Sequence, residues 1–347
     1  MNMQSKFWEG KEVLVTGGAS FIGSHLVDKL SNLGASLTVI DNLTSGDLNN
    51  LSESSGVKFF KADLETGDFS DLKRFFKDKE FVFHLAAVHG GRGYIDTHPA
   101  DVASNFSIDS RTFKLAFTSD VRSIVYSSSA CVYPPRLQSA YGSSYMLKET
   151  DSDITDLEMP LSADIEYGWE KIMAEIMLQS YFKQYGFKSA SMRFVTAYGP
   201  RENETHAIIA LIYKALSKMD PFEIWGTGKQ DRDFTYVEDI VSGCIAAAEN
   251  VKGCEHFNLG TGKRYTIDEV AKIVFDIVGW EPKEIYHDIN KPTGVVSRAL
   301  DISYTKEKLG WEPRYELQAG LYKTIEWYIK THPKTKKVNN RLLMERT

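Results

Sequence analysis

Tyr167 and Lys171 stand four residues apart in the run Tyr167-Gly-Trp-Glu-Lys171, a spacing that sets both side chains on one face of a helix. A phenol titrates near pKa ~10 and a lysine near ~10.4. An ammonium beside a phenol favours the phenolate and brings the tyrosine toward a useful general base for a hydroxyl proton. Earlier in the chain, Ser127-Ser-Ser129 ends a strand-like segment and offers a hydroxyl that can bridge to a substrate. Taking a proton from an alcohol is half of an oxidation, and the other half needs a hydride acceptor.

A site for that acceptor is legible near the N-terminus. Val13-Leu-Val-Thr-Gly-Gly-Ala-Ser-Phe-Ile-Gly23 passes from an apolar run through a glycine cluster into the helical spacing of Ile22, Leu26 and Leu30. Such a strand, tight turn and helix N-terminus let the backbone approach a pyrophosphate and stabilise its charge. The next strand, Leu37-Thr-Val-Ile40, ends in Asp41, where a carboxylate can bond both ribose hydroxyls of NAD and repel the extra phosphate of NADP. NAD is therefore the expected cofactor, held by Gly17, Gly18, Ser20, Phe21, Ile22 and Gly23 at the turn and by Asp41 and Asn42 beyond it. Ser20 takes the place of the middle glycine; its side chain narrows the gap to a pyrophosphate while its hydroxyl can donate to it.

The elements that must position these groups alternate through the first half of the chain. Strand patterns at Val57–Phe60, Phe81–Leu85, Ser123–Ser127 and Ser189–Phe194 are separated by helix patterns at Phe69–Phe76, Pro99–Ser119 and Glu166–Tyr185. Alternation of this kind predicts an α/β fold, a Rossmann-type doubly wound parallel sheet with its ligands at the carboxyl ends of the strands. Asp63, Leu64, Leu85, Ala86, Ala87 and Ser127 lie at those ends and join the cofactor-binding candidates. After Gly199-Pro200 the texture changes to a smaller mixed α/β C-terminal lobe. The expected division is an NAD-binding domain over 1–195 with a return segment at about 231–259, a substrate lobe over 196–230 and 260–331, and a solvated tail over 332–347. The polar insertion at Ser139–Ser162 is expected to border the cleft.

Composition narrows the classes of function. The 347 residues are 42% hydrophobic and 25% charged with a net charge of −6, which gives no reason to expect nucleic acid or an anionic membrane surface as partner. No apolar run reaches the length of a membrane span, and Met1–Lys11 is too polar for a signal peptide. Cys131, Cys244 and Cys254 have no metal-ligand spacing, so no metal is expected and a reducing cytoplasm is the expected location.

Taken together these pieces resemble the extended short-chain dehydrogenase/reductases, the nucleotide-sugar epimerase and dehydratase family, across nearly all of residues 10–330. Besides the glycine turn, Asp41 and Asp63, the matching motifs are His84-Leu-Ala-Ala87, Ser127-Ser-Ser129, Tyr167 with Lys171, Tyr198-Gly-Pro200, Trp225-Gly-Thr-Gly228, Arg232-Asp-Phe-Thr235 and Lys308-Leu-Gly-Trp311. The resemblance implies a nucleotide-diphosphate sugar as substrate, with Ser129, Tyr167 and Lys171 catalytic. It implies that Arg232 and Arg298 hold the diphosphate, as bidentate guanidinium groups do, and that Gly91, Arg92, Thr196 and Trp225 make further substrate contacts. Thr196 stands where the family usually has Asn, which weakens the contact expected there. A two-fold homodimer through the helices near Pro99–Ser119 and Glu166–Tyr185 is also implied, with Tyr181, Phe182 and Tyr185 as candidate contacts that core packing explains equally well.

Within the family, the dehydratases carry an acidic pair at the positions of Ala130 and Cys131, and the decarboxylases carry Glu at Cys131. Neither carboxylate is present. A cysteine at this position resembles the GDP-mannose 3,5-epimerases and GDP-fucose synthases, as the loop Gly90-Gly-Arg-Gly-Tyr-Ile95 resembles the former. There the cysteine exchanges protons beside a C4 ketone with a second acid/base group, whose position falls at His206. A histidine near ~6.5 and a thiol near ~8.5 can both cycle protons near neutrality. The expected activity is transient C4 oxidation followed by C3/C5 proton exchange. Asp41 favours this over the synthase reaction, which needs a fresh reductant. A UDP-sugar 4-epimerase using only Ser129, Tyr167 and Lys171 is the alternative, and a non-catalytic NAD-binding scaffold is a third reading that the intact Tyr167/Lys171 pair opposes.

Overall fold

In the computed structural model, which describes residues 3–51, 56–155 and 161–332, the apolar run at Val13 becomes the strand Glu12–Thr16 within a seven-stranded sheet. Across the sheet the order is Cys254–Leu259, Lys188–Phe194, Ser123–Ser129, Phe81–His84, Glu12–Thr16, Ser36–Asp41 and Lys58–Lys61. Every pairing is parallel. Strands covered on both faces read as unbroken apolar runs, as the wholly buried Val13, Leu14 and Val15 do. The direction of winding reverses between Glu12–Thr16 and Phe81–His84, which opens a crevice at the carboxyl ends of those two strands. This is the doubly wound Rossmann-type sheet that the alternation predicts.

Helices cover both faces. Phe21–Asn32 and Val237–Asn250 bury Leu26, Val27 and Leu30 with Ile240, Val241 and Ile245 in one apolar layer. On the other face Phe69–Phe76, Asn105–Thr118 and Ile165–Tyr185 contribute Leu72, Phe76, Phe113, Ala174 and Leu178. The single helix expected over Pro99–Ser119 is two, Pro99–Ala103 and Asn105–Thr118, joined at Ser104. At that break the buried Asn105 carboxamide turns to the end of the Phe81–His84 strand and bonds both the N–H (2.7 Å) and the C=O (2.9 Å) of Val88.

A second apolar cluster lies under Ala207–Leu216, Ile267–Val278 and Leu317–Thr331, with Ile212, Phe222, Val274, Leu321 and Ile325 among its members. Thr266 and Glu269 close a capping box at the start of the middle helix, and Gly279 ends it in the left-handed conformation. Short strands complete this lobe: Phe222–Trp225 beside Ile285–Asp288, and Asp231–Arg232 between Tyr265–Thr266 and Ser297–Arg298. The chain therefore leaves the large sheet after Phe194 and re-enters it at Cys254. Residues 333–347 of the expected tail, and 156–160 of the polar insertion, lie outside the described residues. Among the described residues no helix is long and apolar enough to cross a membrane.

Candidate active site

The strand ends and the smaller lobe face each other across a cavity of about 980 Å³. Gly17, Ser20, Phe21, Ile22, Gly23, Leu85, Ala87 and Ser127 line it, together with Ser129, Cys131, Tyr167, Lys171, His206, Gly91, Arg92, Thr196, Trp225, Arg232 and Arg298. Gly18, Asp41, Asn42, Asp63, Leu64 and Ala86 lie outside that wall. Leu64 packs into the core beside Leu72. Asn42 reaches across two strand ends, its Nδ2 donating to Asp63 Oδ2 at 3.0 Å. Burial pushes the Asp63 pKa up, but bonds from Asn42 and Thr66 outweigh it and hold the carboxyl below its ordinary value.

The glycine turn fits a dinucleotide. Gly17 has φ +69°, and a Cβ there would lie 2.7 Å from the backbone N of Ala86. A Cβ on Gly23 would lie 2.1 Å from the Gly17 carbonyl oxygen, so the helix can start this close to the strand only with hydrogen at that position. The first-turn N–H groups of Phe21–Asn32, which have no intrahelical partner, end at the cavity. The Ser20 hydroxyl makes no cap bond; it turns to Asp41 Oδ2 at 3.4 Å. Asp41 is buried and accepts from the backbone N–H groups of Ala19 (3.0 Å) and Leu43 (2.8 Å), which fixes its carboxylate beside the turn. N–H groups that donate to a pyrophosphate and a carboxylate that accepts from ribose hydroxyls are the partners that NAD requires.

Ser129 caps the turn Ala130–Val132, its Oγ accepting from the N–H of Cys131 at 3.1 Å, which leaves the hydroxyl proton for another partner. That turn packs directly on the helix bearing Tyr167. The N–H of Asp164 donates to the Cys131 carbonyl at 2.9 Å, and a Cβ on Gly168 would come within 2.2 Å of the same oxygen. Gly168 is thus what allows Tyr167 and Cys131 to share one wall. Lys171 Nζ lies 5.5 Å from the Tyr167 ring centroid and donates to Tyr126 Oη at 2.9 Å. The expectation that Lys171 brings the phenol down is corrected here: burial pushes Tyr167 up to about 12, and the ammonium offsets only part of that. Desolvation of a phenolate outweighs one cation that is shared with Tyr126 and Glu170.

Each nitrogen of the Arg298 guanidinium makes one bond. Its Nη1 donates to Cys131 Sγ at 3.2 Å, its Nη2 to Asp164 Oδ2 at 2.7 Å, and its Nε to Gln138. Arg92 bonds the same Asp164 carboxylate, with Nη1 3.0 Å from each oxygen. Arg232 donates to the carbonyls of Asp231, Thr293 and Val295 at 2.6–2.7 Å; burial, with Arg298 nearby, lowers its pKa to about 10. The arginines expected at a diphosphate do line the cavity, with Arg298 donors on Asp164, Cys131 and Gln138 and Arg232 donors on backbone oxygens.

His206 occupies the N-cap position of Ala207–Leu216 without a capping bond, and its Nδ1 lies 2.9 Å from Glu202 Oε1. Burial works against its charged form, yet the Glu202 carboxylate outweighs burial and raises the imidazole pKa. Beside it stands His89, ring centroids 6.1 Å apart, its pKa lowered to about 4 by burial and by the charges of His206 and Lys171. His89, Asp164 and Gly168 are functional candidates that the sequence reading did not single out. His89 follows the end of the Phe81–His84 strand and Gly168 sits inside the Tyr167–Lys171 run, so position at a strand end and inside a motif were the available signals. Asp164 gave none.

The family described as the NAD dependent epimerase/dehydratase family matches residues 13–260. The chain is 33% identical over 320 residues to the putative UDP-glucose 4-epimerase of Methanocaldococcus jannaschii, covering 91% of this chain and 97% of that one. It is 30% identical over 332 residues to GDP-mannose 3,5-epimerase 1 of Oryza sativa subsp. indica, covering 93% and 84%. Among solved structures it aligns with UDP-glucose 4-epimerase of Thermotoga maritima bound to UDP-glucose, at a TM-score of 0.80 and 30% identity over 92% of this chain and 99% of that one.

Proposed function

From the premise that the chain belongs to the NAD dependent epimerase/dehydratase family, we propose that it is a nucleotide-sugar epimerase of the GDP-mannose 3,5-epimerase type. The observation that carries this reading is Cys131: its thiol stands in the cavity wall 3.2 Å from Arg298 Nη1, on the turn packed against the Tyr167 helix. Ala130 and Cys131 leave no carboxylate at the positions where dehydration or decarboxylation needs one.

NAD, when bound, supplies the hydride acceptance from C4 of the sugar and its later return. Tyr167 takes the C4 hydroxyl proton, and the Ser129 hydroxyl holds the same oxygen. The C4 ketone so formed acidifies the protons on C3 and C5. Cys131 abstracts, and His206, kept protonated to higher pH by Glu202, delivers a proton from the other side. The nucleotide diphosphate lies toward Arg232, Arg298 and Arg92. Gly91 and Thr196 complete the wall around the sugar. Trp225, 41% exposed with Lys291 Nζ 5.4 Å from its ring centroid, borders the outer end. In this reading residues 1–195 with the return segment at 231–259 hold NAD, and 196–230 with 260–331 hold the substrate.

Incubation with GDP-mannose, UDP-glucose and UDP-glucuronate in deuterated water tests the reading. Deuterium is expected at C3 or C5 of one recovered sugar, read by mass spectrometry and proton NMR. Because Ser129, Tyr167 and Lys171 all line the cavity, a 4-epimerase is the competing reading; a C4 epimer free of deuterium would establish it and remove the first.

The same reading includes a homodimer. Trp169 and Met173, one helical turn apart, are 43% and 41% exposed, and Phe106 on the adjoining helix is 41% exposed. Of the contacts expected from sequence, Tyr181 instead packs with Phe117 and Phe187. Replacing Trp169 with Glu is expected to turn a dimer into a monomer in sedimentation velocity, whereas an unchanged species would mean that this face is not the interface.

A further inference from the structure

Behind Tyr167 lies a buried group of ionisable side chains that meets the cavity at Lys171. Lys171, Glu170, Asp109, Tyr126 and His84 are each at most 1% exposed, and they converge from two helices and two strands. Asp109 accepts on both oxygens, from His84 Nε2 at 2.9 Å and from Tyr126 Oη at 2.5 Å. The other His84 nitrogen faces Thr16 Oγ1 at 2.7 Å. Tyr126 Oη accepts from Lys171 Nζ at 2.9 Å and lies 3.2 Å from Glu170 Oε1. Glu170 Oε2 is 3.5 Å from Lys171 Nζ. The other titratable groups that Lys171 feels are Tyr167 and His89.

Two separate counts constrain the protons here. The first is charge. Burial, reinforced by Lys171, lowers the His84 pKa to about 3, and His89 and the phenols are also neutral near pH 7. Among the described residues Lys171 is then the only cation facing two carboxyl groups, and a second ionised carboxylate would leave an uncompensated charge out of contact with water. The second count is of hydrogens. Tyr126 has one hydroxyl proton, committed to Asp109 across the shorter contact. The 3.2 Å contact between Tyr126 Oη and Glu170 Oε1 is then a hydrogen bond only if Glu170 brings the proton.

We propose that Glu170 is the neutral acid of a proton-sharing pair with Asp109, so that Lys171 faces one carboxylate charge instead of two. The consequence is for Tyr167: a second anion at this depth would cancel the ammonium field that the phenolate depends on. Burial comes first among the influences on Glu170, and together with Asp109 it outweighs Lys171 and raises the carboxyl pKa to about 9. The consequence for Tyr167 rests on the catalytic reading above; the proton on Glu170 does not, and it is measured on the resting protein without substrate.

An unfolded glutamate titrates near ~4.3, so between that value and about 9 the folded chain binds one proton more than the unfolded chain. Stability from this group therefore falls as pH rises through that window. Glu170→Gln copies the neutral acid and removes the loss. In denaturant titrations, the ratio of native to variant unfolding constants is expected to widen by about tenfold per pH unit across the window. A ratio that stays constant with pH would overturn the proposal. Infrared spectra of native protein carrying 13C-labelled glutamate give a second reading that needs no variant: one protonated carboxyl band at neutral pH, lost around pH 9. Its absence at neutral pH would equally overturn the proposal. Asp109→Asn leaves a single carboxyl group beside Lys171, so the band is expected to vanish at neutral pH. A band that persists there would mean that burial alone holds the proton and that no pair shares it.

Discussion

Replacing Tyr167 with Phe is expected to lower turnover of the nucleotide sugar by on the order of 10³-fold, within the range that positioned general acid–base groups contribute. The substitution removes one oxygen and keeps the ring, so the contact with the Lys171 ammonium and the close approach of Gly168 to Cys131 remain. Denaturant midpoints should therefore barely move while the rate collapses. The pH profile gives a second reading. Burial holds the Tyr167 phenol up at about 12, so only its rare ionised form is a base at neutral pH, and the native rate should climb as pH rises toward that value. The residual rate of the Phe variant should lack that climb. A scaffold that merely binds NAD would show neither effect, and steady-state rates of the two proteins across a pH series decide the matter.

The strands of the main sheet were readable because local signals mark them, apolar runs separated by helical spacing or polar loops, whereas their order across the sheet appears only in the structure. Asp41 was placed at a strand end by that logic, and the structure puts it there with its carboxylate fixed by two backbone N–H groups. What escaped the sequence is everything that depends on long-range approach. Lys171 is bonded to Tyr126, 45 positions away, and Arg298 to Asp164, 134 positions away. No periodicity links such pairs. Lys171 does favour the phenolate of Tyr167, but burial of the phenol outweighs it, and that burial comes from tertiary packing which a spacing of four residues does not disclose. Gly168 lies within the Tyr167–Lys171 run, yet its purpose appears only once the Cys131 turn lies against it, since helical spacing says nothing about what a missing side chain lets in. The break at Ser104 falls beside the Asn105 carboxamide, which bonds both backbone groups of Val88, 17 positions away, a pairing that no periodicity shows.

Replacing Cys131 with Ser is expected to separate oxidation at C4 from exchange at C3 and C5. A free thiol titrates near ~8.5 and can cycle a proton close to neutrality, whereas an alkyl hydroxyl cannot, so deuterium incorporation should fall by roughly 10²–10⁴-fold. The site itself should survive. The backbone of Cys131 is held by Ser129 Oγ on its N–H and by the Asp164 N–H on its carbonyl, and a serine oxygen can accept from Arg298 Nη1 where sulfur does now. Ser129, Tyr167 and Lys171 are untouched, so a C4 ketone should still form. Quenching with borodeuteride and locating the label at C4 of the recovered sugar measures it directly. Ketone formed without exchange makes Cys131 the group that moves protons beside it. A variant that still inverts C4 at the native rate would reduce the cysteine to a filler at the end of the Ser123–Ser129 strand, and the three residues common to both readings would then be sufficient for the reaction.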